Sequence, residues 1–303
     1  MSLQLPKRAR SIALVAMASG AAVLVSSCSV AGRESMKRLA QPEGVTDRTA
    51  GMHSLWMGAW LAAIIVGIVV WGLIGYACVK FYRRRDDEIP VQTRYNLPLE
   101  IFYTIAPIIM VIVFFQHTVN VQNTVLDDSI VPDNTIEVTG QQWSWTFNYG
   151  VGPEDNAANA DDTDLQYPYS SYVYEAGTAS HIPTIVLPVH ELTRFNLHSP
   201  DVIHDFGVPA FLMKMDVVPG RVNHYAIEPT KIGEYKGKCY ELCGVYHSRM
   251  LFKVRVVSRA DYDLYLKDLA AEGHTSEKPL IGGSAAYTQA GLGSGSETEG
   301  GAE

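Results

Sequence analysis

The stretch that decides the fold of this chain is Cys239-Tyr240-Glu241-Leu242-Cys243-Gly244-Val245-Tyr246-His247-Ser248-Arg249-Met250. It brings together two thiols, an imidazole and a thioether, and this mixture of ligands favours copper over magnesium, calcium or manganese. A mononuclear blue-copper site uses one cysteine, whereas two cysteines four positions apart can bridge two metal ions. The stretch therefore predicts a two-copper centre.

Other interpretations of the two cysteines compete with the copper centre at this point, and one of them can be excluded. A C-x-x-x-C pair can form a disulfide or remain two buried thiols. A zinc site is possible, but zinc sites seldom use methionine and usually have a second distant ligand pair. A thioredoxin-like redox pair would be C-x-x-C beside a βαβ pattern, and the sequence has neither.

A compact copper loop needs one more ligand from a distant strand. Two histidines lie upstream, His198 and His204, in a segment rich in turn-forming residues. We predict His204 as the ligand because Phe206, Val208 and Phe211 follow it and could exclude water.

Composition bounds the class of protein. The chain has 303 residues, a net charge of -8 and 47% hydrophobic residues, which are concentrated in blocks. The negative charge argues against nucleic acid as a partner, since nucleic-acid binding requires basic patches. The four cysteines are Cys28, Cys78, Cys239 and Cys243, which leaves no pair for a disulfide framework.

Residues 1–27 resemble an export signal. Lys7, Arg8 and Arg10 form a positive start, and an uncharged stretch from Ser11 to Ser27 follows. Small residues before Cys28 match a lipoprotein cleavage site, which predicts cleavage before Cys28 and lipid attachment to its thiol. An uncleaved membrane span is the alternative.

Two apolar spans predict a transmembrane hairpin over residues 53–126, after an outer N-terminal segment at 28–52. Helices are expected at about 54–79 and 100–121, each long enough for a bilayer core of about 20 residues. The loop between them is rich in lysine and arginine and should face the cytoplasm. Both ends of the hairpin, and everything that follows it, should then lie outside.

Residues 127–274 alternate short β-branched and aromatic runs with proline and glycine breaks, which predicts a β-sandwich or barrel. Thr135–Tyr149 is the longest of these runs. Ser258 should cap a short helix with Asp261 at its third position. An acidic insert is expected at about 150–176, and residues 275–303, rich in Gly, Ser, Ala and Glu, are predicted to be disordered.

This combination resembles subunit II of the haem-copper cytochrome c oxidases, over roughly residues 50–270. The motifs that carry the resemblance are Cys239-x-Glu241-x-Cys243-Gly244-x-x-His247-x-x-Met250, Ser199-x-Asp201-Val202-x-His204 and Gly140-Gln141-Gln142-Trp143-Ser144-Trp145. The lipoprotein-like start and the insert after Tyr149 resemble a bacterial, actinobacterial-like form.

The resemblance implies a cupredoxin-like Greek-key sandwich that carries the binuclear CuA centre. Cys239 and Cys243 would bridge two copper ions, and His204 and His247 would each cap one of them. Met250 would be a weak ligand to one copper and the carbonyl of Glu241 a ligand to the other. The Glu241 side chain would also reach a magnesium ion at the interface with subunit I.

The resemblance also implies roles for residues around the centre. Trp143 would receive electrons from a c-type cytochrome, and Asp201 would help to dock that cytochrome through charge, which mainly raises association rates. Asn148 stands where other members often carry an acid. The acidic insert could instead dock a tethered cytochrome of a bc complex in a supercomplex, with a solvated loop as the alternative.

Glu100 precedes the second span, and two roles are open for it. A carboxylate at a helix start complements the helix dipole. In the family, the pattern Pro98-x-Glu100 followed by an aromatic residue, Thr104 and Pro107 marks the acid at the mouth of a proton path into subunit I.

The implied function is that of subunit II of an aa3-type, proton-pumping cytochrome c oxidase in the bacterial plasma membrane. It would pass electrons to haem in subunit I, alongside subunit III, and would not reduce oxygen alone. Three alternatives fit less well. A nitrous oxide reductase would need a large further domain, a quinol oxidase subunit would lack the copper ligands, and a lipoprotein copper chaperone would need no hairpin.

Overall fold

The computed structural model describes residues 30–83, 89, 92–154, 169–178 and 180–282. The chain divides into two compact units, Met1–Glu43 and Gly44–Glu303. In the first unit, helix α1 spans Val30–Lys37. The predicted signal at 1–27 and Cys28 lie outside the described residues.

The hairpin consists of helix α2, Thr49–Lys80, and helix α3, Leu97–Val125. Both are long and apolar enough to cross a membrane, and both extend beyond the predicted limits. Their 32 and 29 residues exceed the roughly 20 that a bilayer core requires. Both helices therefore continue beyond the apolar spans, because a polar sequence does not prevent a helix outside a bilayer core.

The second unit also contains eleven described strands and one further α-helix. They are β1 Asn134–Gln141, β2 Ser144–Glu154, β3 Tyr169–Ala176, β4 Thr184–Pro188, β5 Thr193–His198, β6 His204–Val208, β7 Met213–Val217, β8 Asn223–Ile227, β9 Gly233–Cys239, β10 Leu251–Val257, α4 Arg259–Ala271 and β11 Thr275–Ser276. The predicted cap is present, because the Ser258 hydroxyl accepts a hydrogen bond from the Asp261 N–H at 3.2 Å.

The strands form two sheets. One has the order β11-β3-β2-β1-β5-β8, and the other β4-β10-β9-β6-β7. β1 with β5 and β10 with β4 are parallel, and the other pairs are antiparallel. The predicted β-sandwich is thus confirmed, and β6 and β9 lie side by side in one sheet with Phe206 opposite Cys239.

Aromatic rings fill the space between the sheets. Trp145 and Phe147 of β2 are fully buried and lie edge-on to Phe206 and Phe252. Phe206 and Phe252 stack face to face, with ring centroids 4.7 Å apart. Burying each large side chain stabilises the folded state by about 1.5–3 kcal/mol. Because the rings also pack closely on one another, the cluster is a rigid support for the ends of β6 and β9.

The run Thr135–Tyr149, expected as one strand, is a hairpin. β1 ends at Gln141 and β2 begins at Ser144, with Gln141 paired to Ser144. Trp145, Phe147 and Tyr149 point into the core, as alternation requires. Trp143 lies in the turn and is only half-buried, so its environment differs from that of the other rings in the run.

The predicted insert and tail need correction at their ends. β2 continues to Glu154 and β3 begins at Tyr169, so only the central part of the segment 150–176 lies outside the described residues. Disorder from residue 275 is wrong for residues 275–282. β11 pairs with β3, and the backbone N–H of Leu280 donates to Asn148 Oδ1 at 2.8 Å. The backbone groups find partners on the sheet, which composition alone does not reveal.

We expect Asn148→Ala to lower the free energy of unfolding by about 2 kcal/mol. The buried Asn148 amide binds the N–H and C=O of Leu280 and also donates to the Glu137 carbonyl. Thermal unfolding of the purified chain in detergent measures this. Asn223→Ala is the control, since it removes one exposed hydrogen bond and should cost less than about 0.5 kcal/mol. Equal stability of the two variants would contradict the prediction.

The segment before α2 joins the hairpin to the sandwich. The Val45 N–H donates to the Ala210 carbonyl at 2.9 Å, and the Thr230 N–H donates to the Val45 carbonyl at 2.8 Å. Buried Arg48 donates to the Thr124 carbonyl at the end of α3. Backbone hydrogen bonds of this segment therefore fix it to the sandwich, and the Arg48 side chain fixes it to the end of α3.

Candidate metal centre

The candidate ligands lie at one end of the second sheet. Cys239 is the last residue of β9 and Met250 directly precedes β10, so the loop between two hydrogen-bonded strands carries most of the ligands. The Cys239 N–H donates to the Met250 carbonyl at 3.0 Å and closes this loop. His204 is the first residue of β6, next to β9. The sheet therefore delivers the distant histidine to the cysteine loop.

The six predicted ligand groups come together in two sets. Cys239 Sγ lies 3.9 Å from His204 Nδ1 and 3.2 Å from the Glu241 carbonyl oxygen. Cys243 Sγ lies 3.5 Å from His247 Nδ1 and 3.7 Å from Met250 Sδ. The two sulfurs are 3.8 Å apart. Each thiol therefore has one imidazole and one weaker ligand beside it.

The donor set fits copper and argues against the disulfide interpretation. The thiols of Cys239 and Cys243 are free, and their separation is well beyond the roughly 2.05 Å of a disulfide. The ligand atoms of His204, Cys239 and Cys243 lie within 4.8 Å of one another, and all three residues are buried. Met250 is fully buried beside them. Thiolate, imidazole and thioether together are the ligands that copper sites use.

The pKa values of the two thiols are shifted in opposite directions. Burial raises the pKa of the Cys239 thiol, but hydrogen bonds from His204 and from nearby backbone groups outweigh this, so the pKa lies below its usual value. Burial and the neighbouring Cys239 raise the pKa of the Cys243 thiol to about 12. Two thiolates side by side repel each other, and a bound cation favours the form in which both are ionised.

Asp201 holds the ring of His204. Its Oδ1 lies 2.9 Å from His204 Nε2, and Oδ2 accepts the Gln142 N–H at 2.7 Å. Burial raises the pKa of Asp201, but hydrogen bonds from His204, Gln142 and Val202 leave it lower than usual. A carboxylate on the outer nitrogen fixes the orientation of a metal-binding histidine. This contact was missed in the sequence, although the spacing of three residues could have suggested it.

Trp143 is connected directly to the cysteine loop. Its indole Nε1–H donates to the Cys243 carbonyl at 3.1 Å, and the side chain of Gln142 donates to the same oxygen at 2.7 Å. The Trp143 ring also meets the Tyr246 ring edge-on. Sequence reasoning identified Trp143 but missed Gln142 and Tyr246, whose contacts depend on how the loop folds back.

Gly244 makes this contact possible. Its φ is +124°, and a Cβ there would lie 3.0 Å from two indole atoms of Trp143. We expect Gly244→Ala to cost about 1–3 kcal/mol of backbone strain and to displace the indole from the Cys243 carbonyl. Thermal unfolding and tryptophan fluorescence measure the two effects.

Gly220→Ala is the matched control for that prediction. Gly220 also has a positive φ, +74°, but a Cβ there meets open space. The control should lose stability without a fluorescence change. If both variants leave the fluorescence unchanged, Gly244 is not needed to seat the indole.

Glu100 lies apart from the metal ligands. It is in the first turn of α3, and its carboxylate accepts the Asn96 N–H at 2.9 Å. α3 has 29 residues and is therefore about 40 Å long, with its other end at the sandwich. The helix-capping role is thus observed, and the proton role stays a prediction.

The chain is similar to known subunits II of cytochrome c oxidase. The family described as cytochrome C oxidase subunit II, periplasmic domain, matches residues 134–257. A probable cytochrome c oxidase subunit 2 of Streptomyces avermitilis is 44% identical, covering 80% of this chain and 82% of that protein. Cytochrome c oxidase subunit 2 of Mycobacterium tuberculosis is 36% identical, covering 89% and 85%. A crystal structure of the periplasmic domain of subunit II of cytochrome oxidase from Bradyrhizobium japonicum is 28% identical, covers 47% of this chain and 99% of that one, and has a TM-score of 0.37.

The fold and the site define a protein with two helices able to span a membrane and a cupredoxin-like sandwich whose His-Cys-Cys group fits copper binding. The chain belongs to the cytochrome c oxidase subunit II family. It is therefore a subunit of an oxidoreductase complex. The two helices and the match to a periplasmic domain fit a membrane protein whose sandwich lies on the outer face.

Proposed function

We propose that this chain binds two copper ions as a CuA centre and transfers electrons from a c-type cytochrome to haem in subunit I. The observation that carries the proposal is the division of the six ligand groups into two sets around two neighbouring thiols. A copper pair supplies reversible one-electron storage. A single-copper chaperone would need only one such set.

The residues of the chain would hold the copper ions and keep water away from their ligands. Cys239 and Cys243 would bridge the two ions, and His204 and His247 would hold one ion each. The aromatic core behind β6 and β9 keeps the ligands in place, and a rigid site changes little when its charge changes. Burial of both thiols excludes water from the sulfurs.

The test is electron paramagnetic resonance of the full chain, purified in detergent without partner subunits and loaded with copper. We expect two coppers per chain and a hyperfine pattern from two equivalent nuclei. One copper with the pattern of a single nucleus would contradict the proposal and support a mononuclear carrier.

Around this centre we propose two further roles near subunit I. The Glu241 side chain is exposed and would bind magnesium at the interface with subunit I. Glu100 would take up protons on the cytoplasmic side for the pumping that accompanies oxygen reduction to water. Glu100→Gln should slow proton uptake without changing the copper spectrum, and equal uptake would contradict the role.

Docking of the donor is proposed for two acidic regions. Asp201 keeps part of its side chain at the surface, with 24% exposed, and would attract a basic cytochrome. The acidic insert would dock a tethered cytochrome of a bc complex in a supercomplex. Deletion of residues 152–166 should weaken co-purification of that complex while the copper spectrum stays unchanged. An intact complex after deletion would contradict the role.

We propose the following membrane attachment and assembly for the chain. The chain would pass twice through the bacterial plasma membrane and assemble with subunits I and III as an aa3-type oxidase. Cys28 would carry lipid after signal cleavage. The mass of the N-terminal peptide tests this, and a peptide that begins at Met1 without modification would contradict it.

A further inference from the structure

Trp143 is not the outermost ring at the metal loop. It is half-buried, whereas Tyr246 is 44% exposed. The two ring centroids are 5.1 Å apart and the planes cross at 87°. Edge-to-face aromatic pairs of this kind stabilise a structure by more than the burial of their apolar area accounts for. A protein that approaches Trp143 from this side therefore meets Tyr246.

The loop itself produces this arrangement. Gly244 has no side chain, so the indole of Trp143 rests on the loop and donates to the Cys243 carbonyl. Two residues further along, Tyr246 stands against the same indole. Trp143 is thus held between the loop and a ring that the loop supplies.

Arg249 and Trp143 each lie against part of the Tyr246 ring, and 44% of the residue stays exposed. The guanidinium of Arg249 lies 5.9 Å from the ring centroid, within the range of a cation–π contact. Val245 is 83% exposed. We name Val245, Tyr246 and Arg249 the outer contact surface. It is continuous with Trp143 and, through Trp143, with the Cys243 carbonyl.

We propose that Tyr246 is the residue that a c-type cytochrome contacts when it delivers electrons, and that it positions Trp143 for that transfer. The inference rests on the proposed function. Aromatic side chains at the centre of an interface carry much of its binding energy, and electron transfer slows steeply as the gap between the centres widens. By contacting the cytochrome, Tyr246 would shorten the distance between the cytochrome haem and Trp143. Tyr246 would not itself be oxidised.

The test uses the complete oxidase with Tyr246→Phe and Tyr246→Leu. Three quantities are measured: binding of cytochrome c whose haem iron is replaced by redox-inactive zinc, the rate of copper reduction by reduced cytochrome c, and the copper absorption spectrum. Tyr246→Phe keeps the ring and should stay within about twofold of the parent. Tyr246→Leu keeps apolar volume without a ring and should weaken binding and slow reduction by about tenfold, with the copper spectrum and subunit I content unchanged.

Leu264→Ala is the control, because it removes an exposed apolar side chain of α4 that lies outside the metal loop; it should match the parent. Parent-like binding and reduction in Tyr246→Leu would overturn the inference. So would a loss of subunit I with unchanged cytochrome binding, since that would place Tyr246 at the subunit interface. If the parent oxidase lacks a two-copper spectrum or is not reduced by cytochrome c, the proposed function is wrong. If the parent shows both and the Tyr246 variants bind and are reduced as the parent is, only the role of Tyr246 is wrong.

Discussion

Cys243→Ser is expected to abolish the two-copper spectrum and to leave at most one weakly bound copper per chain. The Cys243 sulfur lies within 4 Å of Cys239 Sγ, His247 Nδ1 and Met250 Sδ. A serine hydroxyl is a harder ligand that does not replace a thiolate for copper. Copper content and the paramagnetic resonance spectrum of the purified chain measure the loss.

Cys78→Ser is the matched control for this substitution. Cys78 is a free thiol that is exposed along α2, so the control removes a cysteine without touching the site. Its copper content and spectrum should equal those of the parent. A Cys243→Ser chain with the parent spectrum would show that Cys243 does not bridge the ions.

Trp143→Phe is expected to slow copper reduction by reduced cytochrome c by about tenfold or more, equivalent to a loss of roughly 1.4 kcal/mol from the transition state. Phenylalanine keeps a ring against Tyr246 but loses the indole N–H that donates to the Cys243 carbonyl. Rapid-mixing measurement of copper reduction in the oxidase gives this rate.

The copper spectrum should stay unchanged in Trp143→Phe, because no ligand atom belongs to Trp143. Trp56→Phe is the control, since Trp56 lies in α2 and outside the sandwich; it should keep the parent rate. Unchanged reduction kinetics in Trp143→Phe would contradict its role in receiving electrons.

The grouping of the candidate ligands could be predicted from the sequence, because ligand chemistry and spacing are local. Cys239, Cys243, His247 and Met250 lie in one loop, and His204 could be chosen because that loop was one ligand short. The structure brings all of them together.

What the sequence could not predict depends on contacts between distant segments. The hydrogen bond between Asn148 and Leu280 joins residues 132 positions apart. The segment around Leu280 was predicted to be disordered because its composition is rich in Gly, Ser and Ala. The turn between β1 and β2 was missed because Gln142 and Trp143 are not typical turn formers. Their partner, the Cys243 carbonyl, lies about 100 positions away.

The joint formed by Val45, Arg48 and their partners has a geometric consequence. Val45 binds at Ala210, beyond the far end of β6 from His204, so β6 connects the membrane attachment to a metal ligand with a fixed length of about 16 Å. The start of α2 then sets the distance between the hairpin and the candidate metal ligands. Inserting one helical turn near the start of α2 would shift the attachment by about 5 Å, and the metal loop would move relative to the hairpin even with every candidate ligand intact.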